Sequence, residues 1–477
     1  MEEKRGYNAH VVVLPFPAQG HINPLLQFSK RLDSKGIKIT VSTTLSSVKS
    51  MQSRAGSITL ESIYDDNTEG ALARPAALMG FLEKFEVVGA HCLGELFKKL
   101  ENSEYPVKGL VYDANLPWAL NIAQQLGVAS VAFFTQSCAA IACYYPMYVE
   151  MCGKPLSVPA FSMPGLRQPA LPNPASFGSE TERFPPLIKH ILNQFSNIEK
   201  ADWILFNSFY KLEEEIIAIT FVDWHDTKFN KDPNIVLKWI TNLYPTVRTI
   251  GPTLPSVYLD KRLEDDKCYG FNLYKPISET YMQWLNSKEP ASVVYVSFGS
   301  TAALNAPQMI EMAHALRQTS SNFLWVVKET EESSLPNKFV EDTSGKGLVV
   351  AWCSQLEVLA HQAIGCFITH CGWNSTMEGV SLGVPMVGMP QFLDQMANAY
   401  LLEKVWEVGV QPKVDEKGLA SGEEIESCIN QVMQVGGRRK EFKKKAMQWK
   451  QFAMEAMNEG GSSDKCIDEI IGRLVCS

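Results

Sequence analysis

The stretch Trp352–Gln395 constrains the fold more than any other part of the chain. Cys366–Phe367–Ile368–Thr369 is a short apolar run, and His370–Cys371–Gly372–Trp373–Asn374–Ser375 reads as a turn. A helix is expected from Thr376 until Gly383 and Pro385 stop it, and Pro385–Met389 reads as the next strand. Strand-to-helix joints in tandem belong to an open parallel sheet, where ligands sit beyond the carboxyl ends of strands. A turn holding Gly372, Asn374 and Ser375 offers backbone N–H groups and side-chain donors, which suits an anion such as a phosphate.

The same pattern occurs twice more. His10–Leu14 is a continuous apolar strand, Pro15–His21 a loop, and Asn23 a candidate cap for a helix with Pro24 at its first position. Ile37–Val41 is the next strand, which completes a βαβ unit. Leu78–Leu100 has helical periodicity, Val107–Tyr112 is a strand ending at Asp113, Trp118–Leu126 a helix and Val128–Phe134 a strand. Trp203–Asn207 reads as another strand. Beyond it, Val293–Phe298 is a buried strand, Gly299–Thr301 a turn and Gln308–Leu316 a helix, with further strands at Phe323–Val327 and Leu348–Ala351. Two doubly wound α/β domains facing across a cleft is the expected architecture. The domains are expected at 1–250 and 251–459. The charged stretch Leu259–Lys267 is the candidate linker, and the amphipathic end of the chain, 460–477, is a final helix. Eight of the 26 prolines fall between Gly153 and Pro186, an irregular segment expected to rim a cleft. Neither early loop is Gly-x-Gly-x-x-Gly, which weakens a dinucleotide-dependent oxidoreductase reading.

Composition narrows the class. The chain has 477 residues, of which 45% are hydrophobic and 20% charged, so it can bury a large core. Its net charge of −8 and lack of a basic tail argue against a nucleic-acid partner. The one dense basic run, Arg438–Lys450, carries Phe442, Met447 and Trp449 at near-helical spacing and reads as a solvated helix face. Eleven cysteines without a Cys-x-x-Cys pair and eight scattered histidines point to neither a disulfide framework nor a metal site. A reduced cytoplasmic setting is expected. Leu126–Val149 is apolar, but Thr135, Gln136 and Ser137 interrupt it and Pro146 breaks its end. A buried strand and helix is therefore expected there rather than a membrane span.

Several polar residues fall at strand ends. His21 reads either as a loop histidine bonded to backbone or as a general base whose pKa the helix start would lower. Asp113 reads either as a turn residue or as the acid that orients such a base, because both would emerge on the same sheet edge. Trp352 is either a core residue or a face for a nucleobase. Glu378 is either a first-turn glutamate or a carboxylate for two ribose hydroxyls. Asp394–Gln395 is either a turn or a holder of sugar hydroxyls, and His370 either a satisfied strand-end residue or a phosphate donor.

Taken together, these residues resemble the signature box of the plant secondary-product UDP-glycosyltransferases, glycosyltransferase family 1. Trp352–Cys353–Ser354–Gln355 opens the box, Phe367–Thr376 and Glu378–Gly379 continue it, and Asp394–Gln395 closes it. Pro15–Phe16–Pro17–Ala18–Gln19–Gly20–His21–Ile22–Asn23–Pro24 resembles the family's opening. The resemblance implies the GT-B fold, with two Rossmann-like domains, the acceptor in the first, the donor in the second, and a last helix packing back on the first. It implies an inverting, metal-independent glucosyltransferase with no cofactor, using UDP-glucose as co-substrate. His21 would be the base and Asp113 its partner. Trp352 would stack on uracil with Cys353 and Gln355 close by, and Glu378 would hold the ribose. Ser300, His370, Asn374 and Ser375 would bind the diphosphate, and Trp373, Asp394 and Gln395 the sugar. Phe16, Gln19, Gly20, Trp118 and Phe134 are expected to line a pocket for a small hydrophobic acceptor such as a steroid, terpenoid, phenol or carboxylic acid. A monomer is expected. The rival of a different class is a non-catalytic binder of a nucleotide sugar or metabolite on the same fold; His21 and Asp113 argue against it.

Overall fold

The computed structural model describes residues 6–51, 56–65, 75–153, 185–214, 246–271, 278–300, 302–434 and 436–476. Most of the proline-rich segment, the acidic loop beyond Asp65, and Thr301 lie outside these residues. The chain divides into two compact units. One comprises Met1–Leu273 with Glu455–Ser477, and the other Tyr274–Met454.

In the first unit seven parallel strands form one sheet. They are β1 (Ala9–Leu14), β2 (Ile37–Thr44), β3 (Thr59–Tyr64), β4 (Val107–Asp113), β5 (Ala129–Phe134), β6 (Trp203–Phe206) and β7 (Val247–Thr249), in the order β3-β2-β1-β4-β5-β6-β7. Every residue of β1 is buried, as expected of a strand covered on both faces, which therefore shows no alternation. The strand order turns back at β1, which lies between β2 and β4. Leu14 pairs with Tyr112 there, so the chain leaving β1 and the end of β4 share one edge.

The first helix starts earlier than its sequence indicates. It runs Gln19–Ser34 with Ala18 as an N-cap that offers no side-chain bond. The Ala18 carbonyl instead accepts from the N–H groups of His21 and Ile22. His21 is thus in the first helical turn rather than in a loop, Asn23 is buried inside the helix instead of capping it, and Pro24 is interior. Pro146 likewise lies within a helix, Cys138–Met151, and does not end it. β5 and that helix account for the apolar run 126–149. Among the described residues no helix is long and apolar enough to cross a membrane.

Leu259–Lys267 is held within the first unit instead of hanging free as a linker. Both Arg31 guanidinium ends donate to Asp260 at 2.6 Å, and Lys30 pairs with Asp266 at 2.6 Å. Arg262 reaches Asp260 and Asp464. The final helix, Ser462–Cys476, is fastened to the same unit. Its Ser463 hydroxyl donates to the Gly251 carbonyl at 2.6 Å, and Arg248 pairs with Glu469. Gly109 of β4 leaves the room that Leu474 occupies, since a Cβ there would stand 2.7 Å from that side chain.

The second unit repeats the scheme with β8 (Val293–Ser297), β9 (Asn322–Val326), β10 (Gly347–Val350), β11 (Ile364–Thr369), β12 (Met386–Gly388) and β13 (Gly409–Val410). All are parallel, in the order β10-β9-β8-β11-β12-β13. The turning point is between β8 and β11, where Ser297 pairs with Thr369. The core beneath it gathers Val294, Val296, Met312, Phe323, Trp325 and Ile368. The basic run lies on the helix Gly437–Met457, with Phe442 and Trp449 buried as its spacing indicates. Met447 is 45% exposed and does not belong to that apolar face.

Burial alone would raise the Asp260 carboxyl, but Arg31, Ser256 and Arg262 outweigh it and hold the group well below the usual carboxylate range. Replacing Asp260 with asparagine strands Arg31 and is expected to cost about 3 kcal/mol at pH 7, read by urea unfolding. A carboxyl depressed in the folded state stabilises above its unfolded pKa and loses that contribution as pH falls through the folded value. The gap between wild type and variant therefore narrows in acid.

Candidate active site

β1 and β4 deliver the first group of polar residues. His21 Nδ1 lies 2.7 Å from Asp113 Oδ2; the Asp113 side chain is fully buried and the His21 side chain 23% exposed. The other Asp113 oxygen accepts from the Asn115 backbone N–H and side-chain amide, both at 3.0 Å. Thr135, just after β5, places its hydroxyl 3.1 Å from His21 Nδ1. An imidazole whose Nδ1–H donates to a carboxylate presents Nε2 as its basic atom, the arrangement of an oriented general base. Asn115, Thr135 and His190 carry no motif of their own: Asn115 is local to Asp113, whereas Thr135 and His190 come from parts of the chain distant from His21.

The expected pocket residues separate. The Phe16 ring lies 5.0 Å from His21 and 6.1 Å from His190. Gln19 is partly exposed and Gly20 exposed in the same helical turn as His21. Trp118 is partly exposed and meets Phe85 edge-on. Phe134 differs. It is 2% exposed and stacks on Phe206 at 4.8 Å, so its ring is taken up by core packing.

The second group surrounds the turn after β11. The helix there runs Trp373–Leu382, capped by Gly372, so Trp373, Asn374 and Ser375 form its first turn rather than preceding it. Their N–H groups are among the four that a helix leaves without partners in its own ladder. Cys371 takes a left-handed backbone, φ 61°, where a side chain is strained. Two glycines make room for His370. A Cβ on Gly299 would stand 2.8 Å from its Cε1, and one on Gly372 would stand 2.4 Å from its Nε2. The His370 Nδ1 is buried without a partner. Burial, reinforced by the Lys328 charge, pushes the His370 imidazole down to about 4, so it is neutral at physiological pH. Lys328 itself donates to the Ala302 carbonyl at 2.6 Å and the Ser300 carbonyl at 3.3 Å, which ties down the turn after β8.

A chain of side-chain bonds joins the loop after β10 to that helix. The buried Tyr295 hydroxyl donates to Gln355 Oε1 at 3.2 Å. This sets the amide so that its Nε2 reaches Glu378 Oε2 at 2.7 Å and Ser375 Oγ at 2.9 Å. Gln355 therefore orients Glu378. Cys353 is buried against the same Tyr295 hydroxyl, and burial raises its thiol to about 12, which makes it a packing residue of the loop. Tyr281, also fully buried, accepts from the Ser354 N–H at 3.1 Å and donates to Glu357 at 3.3 Å. Trp352 is partly exposed beside these. The Trp373 side chain is 3% exposed and packs on Trp406, leaving its backbone as the part available to a ligand. Asp394 accepts from Asn398 at 2.8 Å, and Gln395 Oε1 accepts the N–H groups of Gln391 and Phe392, bracing the loop after β12. Among the described residues no three His, Cys, Asp or Glu side chains gather as metal ligands.

Comparison with known proteins gives the family of the chain. Residues 263–454 match the family model for UDP-glucoronosyl and UDP-glucosyl transferases, and 8–228 match a glycosyltransferase N-terminal domain. UDP-glucosyl transferase 74CD1 of Saponaria officinalis is 43% identical, with 99% of each chain covered. Mogroside I-E synthase of Siraitia grosvenorii is 42% identical over 98% of each. The crystal structure of Os79 from O. sativa in complex with UDP superposes with a TM-score of 0.81 at 34% identity, covering 97% of this chain and 100% of that one. The same rice protein has been solved with U2F and trichothecene, at 33% identity and a TM-score of 0.77 over the same shares of the two chains.

The depressed His370 gives a pH signature. The unfolded chain binds a proton at this residue near 6.5 and the folded one near 4, so folding stability falls as pH drops through that window. Thermal melts from pH 7 to 4.5 are expected to fall less for His370→Gln than for the wild type.

Proposed function

This chain belongs to the family of UDP-glucoronosyl and UDP-glucosyl transferases, and on that premise we propose that it is an inverting glucosyltransferase whose base is His21. Membership carries the coarser statement, transfer of a glycosyl group from a UDP-sugar to a small molecule, on the two Rossmann-like units of the GT-B class. The finer reading is glucose, moved from UDP-glucose to a hydroxyl or carboxyl oxygen of a small, largely apolar acceptor. The observation that supports it best is the 2.7 Å bond between His21 and a fully buried Asp113.

In this reading His21 Nε2 takes the proton of the acceptor hydroxyl while Asp113 stabilises the imidazolium that forms. The acceptor oxygen attacks the anomeric carbon from the face opposite the diphosphate, and the C–O bond to UDP breaks with its electron pair going to the diphosphate. The product is a β-glucoside. The charge gained by the leaving group is assigned to the helix N-terminus at Trp373–Ser375, to Ser300 and to the unpartnered His370 Nδ1. Neutral imidazole serves as the donor there, and the assigned chemistry draws on no metal ion. Trp352 is assigned to the uracil face, Glu378 to the ribose hydroxyls, and Asp394 and Gln395 to the glucose, with Trp373 acting through its backbone N–H. A small apolar acceptor is in keeping with the trichothecene bound by the rice relative and with Phe16 and Trp118 near the N-terminal group.

A panel of phenols, steroid alcohols and aromatic acids with UDP-glucose, followed by mass, is expected to yield glucosides. Saturable UDP binding without any glucoside would favour a non-catalytic binder. The role of His21 divides the acceptors. An alcohol needs a base, whereas a carboxylic acid is already ionised at pH 7. His21→Ala is expected to lower kcat by about 10²–10⁴ on alcohols and to spare part of the activity on acids. An equal loss on both would remove His21 from the base role.

A further inference from the structure

Buried polar atoms without partners are rare in folded proteins, because each forfeits its hydrogen bonds to water with no return. Several side chains of the first unit carry such atoms close to the catalytic pair in the chain or in space. Gln19 Oε1 lies two residues before His21, and Gln136 Oε1 directly follows Thr135, which contacts His21. Asn23 Oδ1 and the Tyr112 hydroxyl are two more. His190 Nε2 and both amide atoms of Gln194 differ in coming from one short helical segment, and Gln194 is 0% exposed. His190 lies on the helix Pro186–Leu192 and Gln194 on the turn Asn193–Phe195 that continues it. Four residues apart, they lie on one face.

His190 stands near the catalytic pair. The His190 ring is 6.1 Å from Phe16, which is 5.0 Å from His21. Next to Gln194, Phe195 packs on Phe134 of β5 and on Tyr145 and Tyr148. Aromatic rings thus flank both unpartnered polar groups, Phe16 beside His190 and Phe195 beside Gln194, and a few polar groups among aromatic side chains suit a small organic ligand.

We propose that His190 and Gln194 form a second recognition point for the acceptor, hydrogen-bonding a neutral oxygen of that molecule other than the one that receives glucose. This rests on the transferase reading and narrows its substrate class to apolar molecules bearing at least two oxygens. A hydroxyl fits the pair, since it accepts from the Gln194 amide N–H and donates to a ring nitrogen or the amide carbonyl. Burial keeps the His190 imidazole neutral, the Asp113 charge opposing and His21 reinforcing, so either donor or acceptor role is open to it. A carboxylate fits poorly. It brings only acceptors, leaves Gln194 Oε1 without a donor, and is repelled by Asp113.

Two matched probe pairs test this: estradiol against its analogue without the ring-D hydroxyl, and 4,4′-dihydroxybiphenyl against 4-hydroxybiphenyl. Gln194→Leu and His190→Phe are expected to raise KM for the two-oxygen probes about tenfold more than for the single-oxygen ones, with kcat changing far less. His190→Gln, which keeps a donor and an acceptor, should recover most of the difference. Gln194→Leu should also raise the Tm of the free protein by about 2 °C, because it removes a buried amide that has no partner. A fall in Tm, or equal losses on both members of each pair, would show that the pair serves the fold and overturn the proposal. Should the wild type glucosylate none of the probes, the reading of glucose transfer to phenolic and steroid acceptors fails. Binding of each pair, followed by tryptophan fluorescence in wild type and Gln194→Leu, then decides the recognition point alone: selective loss of the two-oxygen member supports it, and equal binding overturns it.

Discussion

A carboxylate fully withdrawn from water must have its oxygens satisfied, and Asp113 meets that demand with one set of bonds that also orients the His21 imidazole. One oxygen is taken by Asn115 two residues on, and the other is given to His21 across the β1–β4 pair. The sheet makes this possible. With β1 between β2 and β4, the residues leaving two strands that are far apart in sequence arrive on one edge. The early start of the helix at Gln19 then places His21 in its first turn, with the ring toward Asp113 and Thr135.

The second unit solves a different problem with the same topology. Its turning point opens a helix N-terminus while keeping a neutral imidazole buried beside it. Glycine at 299 and 372 supplies the space, and any Cβ at either place would meet the His370 ring. The left-handed Cys371 between strand and helix turns the chain so that the next three residues open the helix. Behind this turn, Tyr295 fixes the Gln355 amide, and Gln355 fixes Glu378. The carboxylate is thereby oriented through a neutral relay, and the ordering is built into the protein before a ligand arrives.

The strands β1, β4, β8 and β11 were legible because each contains an apolar run with polar residues beyond it. That pattern gives both the parallel sheet and the positions of His21, Asp113, Ser300 and His370. The helix starts were not legible. Ala18 and Gly372 cap without a side chain, whereas Asn23 and Thr376, which look like starts, fall inside the helices. Short strands such as β7 and β13 escaped because three and two residues show no periodicity. Leu259–Lys267 looked like a linker on charge alone. The same charges are ion-paired with Lys30, Arg31 and Asp464, contacts that only folding brings together. Tyr295, Thr135, His190 and Gln194 act through partners distant in sequence and have no motif of their own. The residues assigned to the donor other than Ser300, by contrast, lie in one local stretch, within which Cys353 and the Trp373 side chain are packed away.

The account's central claim is a single displacement, with an oxygen activated at His21 attacking the face opposite the diphosphate. The anomeric configuration of the product tests it most directly. With UDP-glucose, whose glucosyl bond is α, and a simple phenol, proton NMR of the freshly formed glucoside should show the large diaxial coupling of a β-linkage. The small coupling of an α-glucoside would mean retention, and would contradict the direct role given to His21 and Asp113.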